Sequence, residues 1–179
     1  YCIFTFLAIK YKKRLVFFKI SLAFYELESA FWEGNSMNIE KYTICSAAIL
    51  LEYYDNKIQS FLENCHDDIL WLGPAHDQMI RGKDNLIDAF QKEKHELRFT
   101  VSNLVVYPLD TGSPSTLDVL LTFQLDTFWP DGSSNRVHQR ISMLWAMQNN
   151  IPRIRLCHIS NAIAYDPRDT IYPVHYAET

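Results

Sequence analysis

Apolar residues recur at helical spacing through the first half of the chain and then switch to alternation. From Ile39 to Tyr54 they fall at Tyr42, Cys45, Ala48, Ile49 and Leu50, with Tyr53 and Tyr54 closing the run, and this spacing predicts a helix. Asp55-Asn56 offers a cap to a second, short helix over 57–63, where Ile58, Phe61 and Leu62 share one face. Asp67-Asp68 leads into a strand over Ile69–Leu72, which Gly73-Pro74 stops. Gly82 breaks the next connection before a third helix over 83–94, with Leu86, Ile87, Ala89 and Phe90 turned inward.

After His95 the period becomes two. Leu97, Phe99 and Val101 alternate with polar residues, and the run continues through Leu104 to Pro108. Thr111-Gly112-Ser113-Pro114 is rich in turn formers. Leu117, Val119, Leu121, Phe123 and Leu125 make the clearest alternating strand, which Asp131 to Asn135 turns back. Strands over 137–147 and 153–160 follow, joined by Gln148 to Pro152. Helices first and hairpin-linked strands after them place the chain in the α+β class, with an antiparallel sheet.

At 179 residues and 48% hydrophobic content, one domain with a sizeable core is expected. The net charge of -4 would repel a phosphate backbone, so no nucleic acid is expected as a partner of this segment. Cys2, Cys45, Cys65 and Cys157 form no C-x-x-C pair, and scattered thiols in a chain with an adequate core predict a reduced, cytoplasmic setting.

The first 36 residues differ from the rest. They carry five basic and three acidic groups against 12 and 18 in the remainder, and composition shifts at Met37. Two apolar runs, Tyr1 to Ile9 and Leu15 to Phe24, are divided by Lys10, Lys12, Lys13 and Arg14, and neither reaches the roughly twenty residues that cross a bilayer. No membrane partner is expected, and the order is not that of a signal peptide. Three readings stand: an added amphipathic helix, a degraded membrane anchor, or sequence foreign to the native protein. Trp32-Glu33-Gly34 before Asn35-Ser36-Met37 is encodable by a purine-rich run like a ribosome-binding site, which predicts a natural start at Met37. The domain then spans 37–161, and 162–179, with Pro167 and Pro173, reads as an arm or linker.

Five short pieces carry a family resemblance by their order and spacing. They are Leu50-Leu51-Glu52-Tyr53-Tyr54, the acidic entry to Ile69-Leu70-Trp71, Arg81-Gly82-Lys83, the strand from Arg140 to Trp145, and His158-Ile159-Ser160. Over 39–161 the chain resembles the nuclear-transport-factor-2-like (NTF2-like) fold, in particular its SnoaL-like branch. The resemblance implies a cone: a curved antiparallel sheet wrapped around three N-terminal helices, its open end a ligand cavity, with homodimers packed through the sheets. Such families include isomerases, dehydratases and cyclases beside domains without activity. Trp71-x-Gly73-Pro74 and His158-x-Ser160 are also similar to a bacterial group in which this domain precedes a LytTR-type DNA-binding domain, which implies the regulatory half of a transcription regulator.

Proton-transfer chemistry in such a cone needs a carboxylate base in an apolar cavity, facing hydrogen-bond donors. Asp126 is the candidate base and Tyr54 the candidate donor, although Asp118, Thr122 and Gln124 share the phase of Asp126, as on a solvated face. His158 is in phase with Ile154 and Leu156, as a ligand-binding or acid–base imidazole or as a buried structural one. Arg140, in phase with His138, is a candidate for a ligand carboxylate or a cross-strand ion pair. His76-Asp77 falls in the loop after the first core strand, but no spacing supplies a metal site, and no cofactor signature is present. Trp71, Phe123, Trp129 and Trp145, with Tyr53 and Tyr54, would suit a small, flat apolar or aromatic molecule.

The sequence therefore supports a non-catalytic small-ligand-binding or sensory domain, dimeric through its sheet. The alternatives are a SnoaL-like isomerase, cyclase or lyase, and a structural dimerisation module with a filled cone. An open cavity holding Asp126 or His158 beside Tyr54 would favour the enzyme, and a cone plugged by Trp71 and Trp145 would favour assembly.

Overall fold

The computed structural model describes residues 5–11, 14–20, 37–75, 77–92 and 97–161. His76, the segment 21–36 that leads into Met37, and the tail 162–179 lie outside the described residues, and with them the metal, start-site and arm readings.

Strands β1 (Thr5–Tyr11) and β2 (Arg14–Ile20) pair antiparallel, with Thr5 opposite Ile20 and Tyr11 opposite Arg14. The described parts of the two apolar runs are thus paired strands, which corrects the amphipathic-helix reading over these residues.

Helix α1 (Ile39–Tyr54) opens on Asn38, whose side chain accepts from Lys41 N at 2.9 Å. Its buried face is Thr43, Ser46, Ala47, Ile49, Leu50 and Tyr54, a stripe built on three- and four-residue spacing. Two hydroxyls can sit on that stripe because each returns to the carbonyl one turn back, Thr43 to Ile39 at 2.6 Å and Ser46 to Tyr42 at 2.7 Å. Asp55 closes α1, and Lys57 rather than Asp55-Asn56 stands at the cap of α2 (Ile58–Glu63). Asn56 takes a left-handed φ of 60° in the tight connection.

β3 (Cys65–Leu72) begins four residues before the expected strand, and β4 (Met79–Arg81) lies in the stretch read as a connection. Gly82, at φ 88°, starts α3 (Lys83–Lys92), which buries Leu86 and Phe90. The meander β5 (Arg98–Asp110), β6 (Thr116–Phe128), β7 (Ser134–Gln148) and β8 (Ile151–Asn161) completes a six-stranded sheet in the order β4-β3-β8-β7-β6-β5.

The sheet is mixed rather than wholly antiparallel, because β8 finishes beside β3 and runs parallel to it. The β3–β8 register shifts between Cys65 and Leu70, and two bulges within the meander reset the alternation. One extra residue on β5 between Ser102 and Val105, with Asn103 at φ 53°, bends that edge strand. A second lies on β8, where Trp145 pairs with Ile154 while Leu144 pairs with Leu156.

The inner sheet face presents Trp71, Val106, Leu121, Phe123, Ile141, Trp145 and Ile159 to the helices, and Leu50, Phe61, Leu86 and Phe90 meet it. Among the described residues no helix is long and apolar enough to cross a membrane.

Candidate functional site

The interior of the sheet is filled. Trp145 and Phe123 are fully buried, Trp71 is 4% exposed and Tyr54 8%. Tyr54 stacks edge-on against Tyr53, Phe99 and Phe123 with ring centroids at 5.1, 5.5 and 5.7 Å, and Trp71 meets Phe90 edge-on at 5.6 Å. The space left beside Tyr53, Phe61, Trp71, Met143 and Cys157 is about 10 Å³, room for a single water-sized sphere. An open hollow of about 370 Å³ lies between Met37, Ile39 and the β5–β6 turn, and none of the residues singled out from the sequence lines it.

The buried polar groups bond to one another. Tyr54 donates its phenol to Gln139 Oε1, and Gln139 Nε2 donates to Asn161 Oδ1 at 2.8 Å. Burial pushes the Tyr54 phenol far above its ordinary range, so it stays a protonated donor. Trp145 Nε1 donates to Ser46 Oγ at 2.9 Å. Gln139 and Ser46 were missed by sequence reasoning. The available signal for Gln139 was its phase with Ile141, Met143 and Trp145; for Ser46 it was its place on the buried stripe of α1. Trp71 Nε1 is buried and has no hydrogen-bond partner among the described residues. The buried polar or charged residues among those described are Thr43, Ser46 and Gln139, so no carboxylate or imidazole is buried there.

The polar candidates lie on the other side of the sheet. Asp126 pairs across the β6–β7 hairpin with Arg136, accepting from Nε at 2.6 Å and Nη2 at 3.0 Å. The Arg136 guanidinium bonded to it holds its carboxyl below the usual carboxylate range. A general base in an apolar pocket would be shifted the other way. Arg140 and His138 are exposed on the same outer face. His158 is exposed too, which corrects both its buried and its cavity-lining readings. The bulge on β8 is the reason: one extra residue moves Cys157 and Ile159 into phase with Ile154, and His158 turns outward. Trp129, 39% exposed at the β6–β7 turn, stands apart from the buried aromatics. The structure therefore brings Tyr54, Trp71, Phe123 and Trp145 together in the core and keeps Asp126, Arg140 and His158 out of it.

That outer face carries an apolar band. Pairing aligns Met79, Leu72, His158, Ser142, Leu120 and Tyr107 in one row from β4 to β5. The adjacent row is Arg81, Leu70, Leu156, Leu144, Asp118 and Leu109. Met79 is 70% exposed and Tyr107 and Leu109 45% each, while the intervening leucines are half-buried by their neighbours. Asp118 is held by Ser142 Oγ, which donates to it at 2.7 Å.

No protein-family model matches the chain, and no curated protein matches it. Solved structures do resemble it. An NTF2-like protein of unknown function from Pseudomonas putida KT2440 superposes with a TM-score of 0.52 at 12% identity, over 73% of this chain and 91% of the other. A ketosteroid isomerase-like protein from Erwinia carotovora atroseptica SCRI1043 gives 0.53 at 15% identity, over 69% and 92%. The S. rosetta CaMKII hub gives 0.54 at 12% identity, over 74% and 100%. Such a likeness establishes the fold, and the fold is NTF2-like: α+β, a curved mixed sheet of six strands packed on N-terminal helices.

Proposed function

We propose that this chain is a non-catalytic module that associates with a second copy of itself through the outer face of its sheet. The observation that carries this reading is the apolar band across all six strands. At about 4.8 Å per strand it is about 24 Å long, and its two rows, apolar except at His158, Ser142, Arg81 and Asp118, cover on the order of 300 Å², the size of the largest apolar patch on an ordinary monomer, which is often functional.

Two further points support a second copy as the occupant. Met79, Tyr107 and Arg81 at the ends of the band are of types enriched at interfaces, and leucines fill its middle around the Ser142–Asp118 pair. It also crosses the full sheet, so a two-fold axis along it lays the band of one copy on the band of the other, as an isologous contact requires. The same fold serves as a hub in the S. rosetta CaMKII, which agrees with self-association. Against an enzyme stand the filled interior and the outward placement of Asp126 and His158.

Sedimentation velocity on the full chain tests the reading. The wild type should sediment as a dimer at micromolar concentration, and Leu120→Glu with Leu144→Glu should give a monomer of unchanged circular dichroism. A wild type that stays monomeric to 100 μM would refute it.

A second reading, a small-ligand or sensory domain, is supported by one observation. The Trp71 indole N–H is a buried donor without an acceptor among the described residues, at the edge of a small apolar void. A small apolar molecule with one acceptor atom could satisfy it if the core opened. Binding of indole-sized carbonyl compounds, read as a change in tryptophan fluorescence that Trp71→Phe abolishes, would support this alternative.

A further inference from the structure

We infer that His158 makes the self-association pH-dependent, with neutral imidazole permitting it and protonation opposing it. This rests on the proposed contact through the outer sheet face. His158 occupies the middle of the apolar band, between Leu72 on β3 and Ser142 on β7, with Leu156 two residues before it on β8. An isologous contact along the band would enclose the imidazole among leucines of both copies, where the charged form loses its hydration.

The charges around it add to that effect. Arg140 is the diagonal neighbour on β7, with His138 two residues further along that strand. Arg155 lies at the bulge of β8, and Arg81 lies two strands away on β4. The acidic groups are more remote: Asp118 on β6 is two strands away and already accepts from Ser142, and Asp68 lies beyond Leu70 on β3. A protonated His158 would thus join Arg140 in each copy and set like charges against one another across the contact. Histidine is the side chain that ordinarily changes charge between about pH 5 and 8, so dimerisation would release protons in that window. Association should be strongest above it and weaken as pH falls through it.

The experiment is sedimentation velocity of the full chain at pH 8.0 and pH 5.5 and equal ionic strength. The wild-type dissociation constant should rise at least tenfold at the lower pH. His158→Gln should flatten that dependence, His158→Lys should weaken association already at pH 8.0, and His138→Gln should leave the wild-type response intact. Equal association of the wild type at both values, or a His158→Gln response as steep as the wild type, would overturn the inference while leaving the dimer standing. A wild type monomeric at both values would remove the dimer itself.

Discussion

Trp145 Nε1 donates to Ser46 Oγ at 2.9 Å, tying the C-terminal part of β7 to the buried stripe of α1. Both residues are fully buried, and the indole also meets the Tyr42 ring at a centroid separation of 4.8 Å. Ser46 in turn donates to the Tyr42 carbonyl, so the hydroxyl serves as acceptor and donor at once. Ser46→Ala leaves the indole N–H buried without an acceptor and should cost about 1–3 kcal/mol in urea unfolding. Trp145→Phe removes the orphaned donor, so adding Ser46→Ala to it should cost less than Ser46→Ala alone. Equal costs in the two backgrounds would mean that the bond contributes nothing.

Gly73 is required for space rather than for backbone freedom. A Cβ there would run into Gln78 Oε1, stand 2.5 Å from Trp71 Cη2 and lie 2.8 Å from Gln78 Cβ. The Gln78 side chain is tied in place, since its Oε1 also accepts from Ala75 N at 3.2 Å. Gly73→Ala should therefore displace the Trp71 indole and destabilise the fold by about 1–3 kcal/mol, as overpacking does. The shift in tryptophan emission should accompany the loss in unfolding midpoint, and an unchanged emission would show that Gln78 alone gives way.

The helices and the meander were legible because each shows its period over enough residues. Alternation from Leu117 to Leu125 became β6, with every one of those residues buried. What was not legible was anything that breaks the period. His158 looked in phase with Ile154, yet the extra residue on β8 reversed its face, and a bulge leaves no mark on composition. The parallel pairing of β8 with β3 joins residues such as Trp71 and Cys157, which lie far apart in the chain, and local periodicity cannot register it. Polar residues in the core were hidden for a different reason. Ser46 and Gln139 are buried because each finds partners, and those partners lie on other elements. Four of the candidate residues, Tyr54, Trp71, Phe123 and Trp145, do share one core, but as packing: of the four, Trp71 alone borders the void of about 10 Å³.

The β7–β8 turn offers a test of backbone demand. Gln148 pairs with Ile151, so Asn149-Asn150 is a two-residue loop, and both asparagines hold positive φ, 52° and 63°. A primed turn matches the twist of the flanking strands and selects asparagine or glycine at those positions. Asn150→Val should cost about 1–2 kcal/mol, the penalty of a branched residue in the left-handed region. Asn150→Gly should be close to neutral. A valine variant as stable as the wild type would mean that the hairpin has adopted another turn.

Alkaline conditions should destabilise the protein through its buried acids. Burial pushes the Cys65 thiol from its ordinary 9.0 up to about 12 and pushes the Cys157 thiol and Tyr54 phenol up as well. Each raised value means that the folded state keeps a proton which the unfolded chain releases. Stability from these groups is therefore full below the unfolded values and declines from about pH 9 upward, until each folded value is passed. Each group contributes a slope of up to about 1.4 kcal/mol per pH unit once the unfolded chain is deprotonated. Urea unfolding at intervals from pH 7 to pH 11 should show a plateau and then a steep fall. Cys65→Ala should make the fall shallower by about one proton's slope, and an identical fall in that variant would show that Cys65 takes no part.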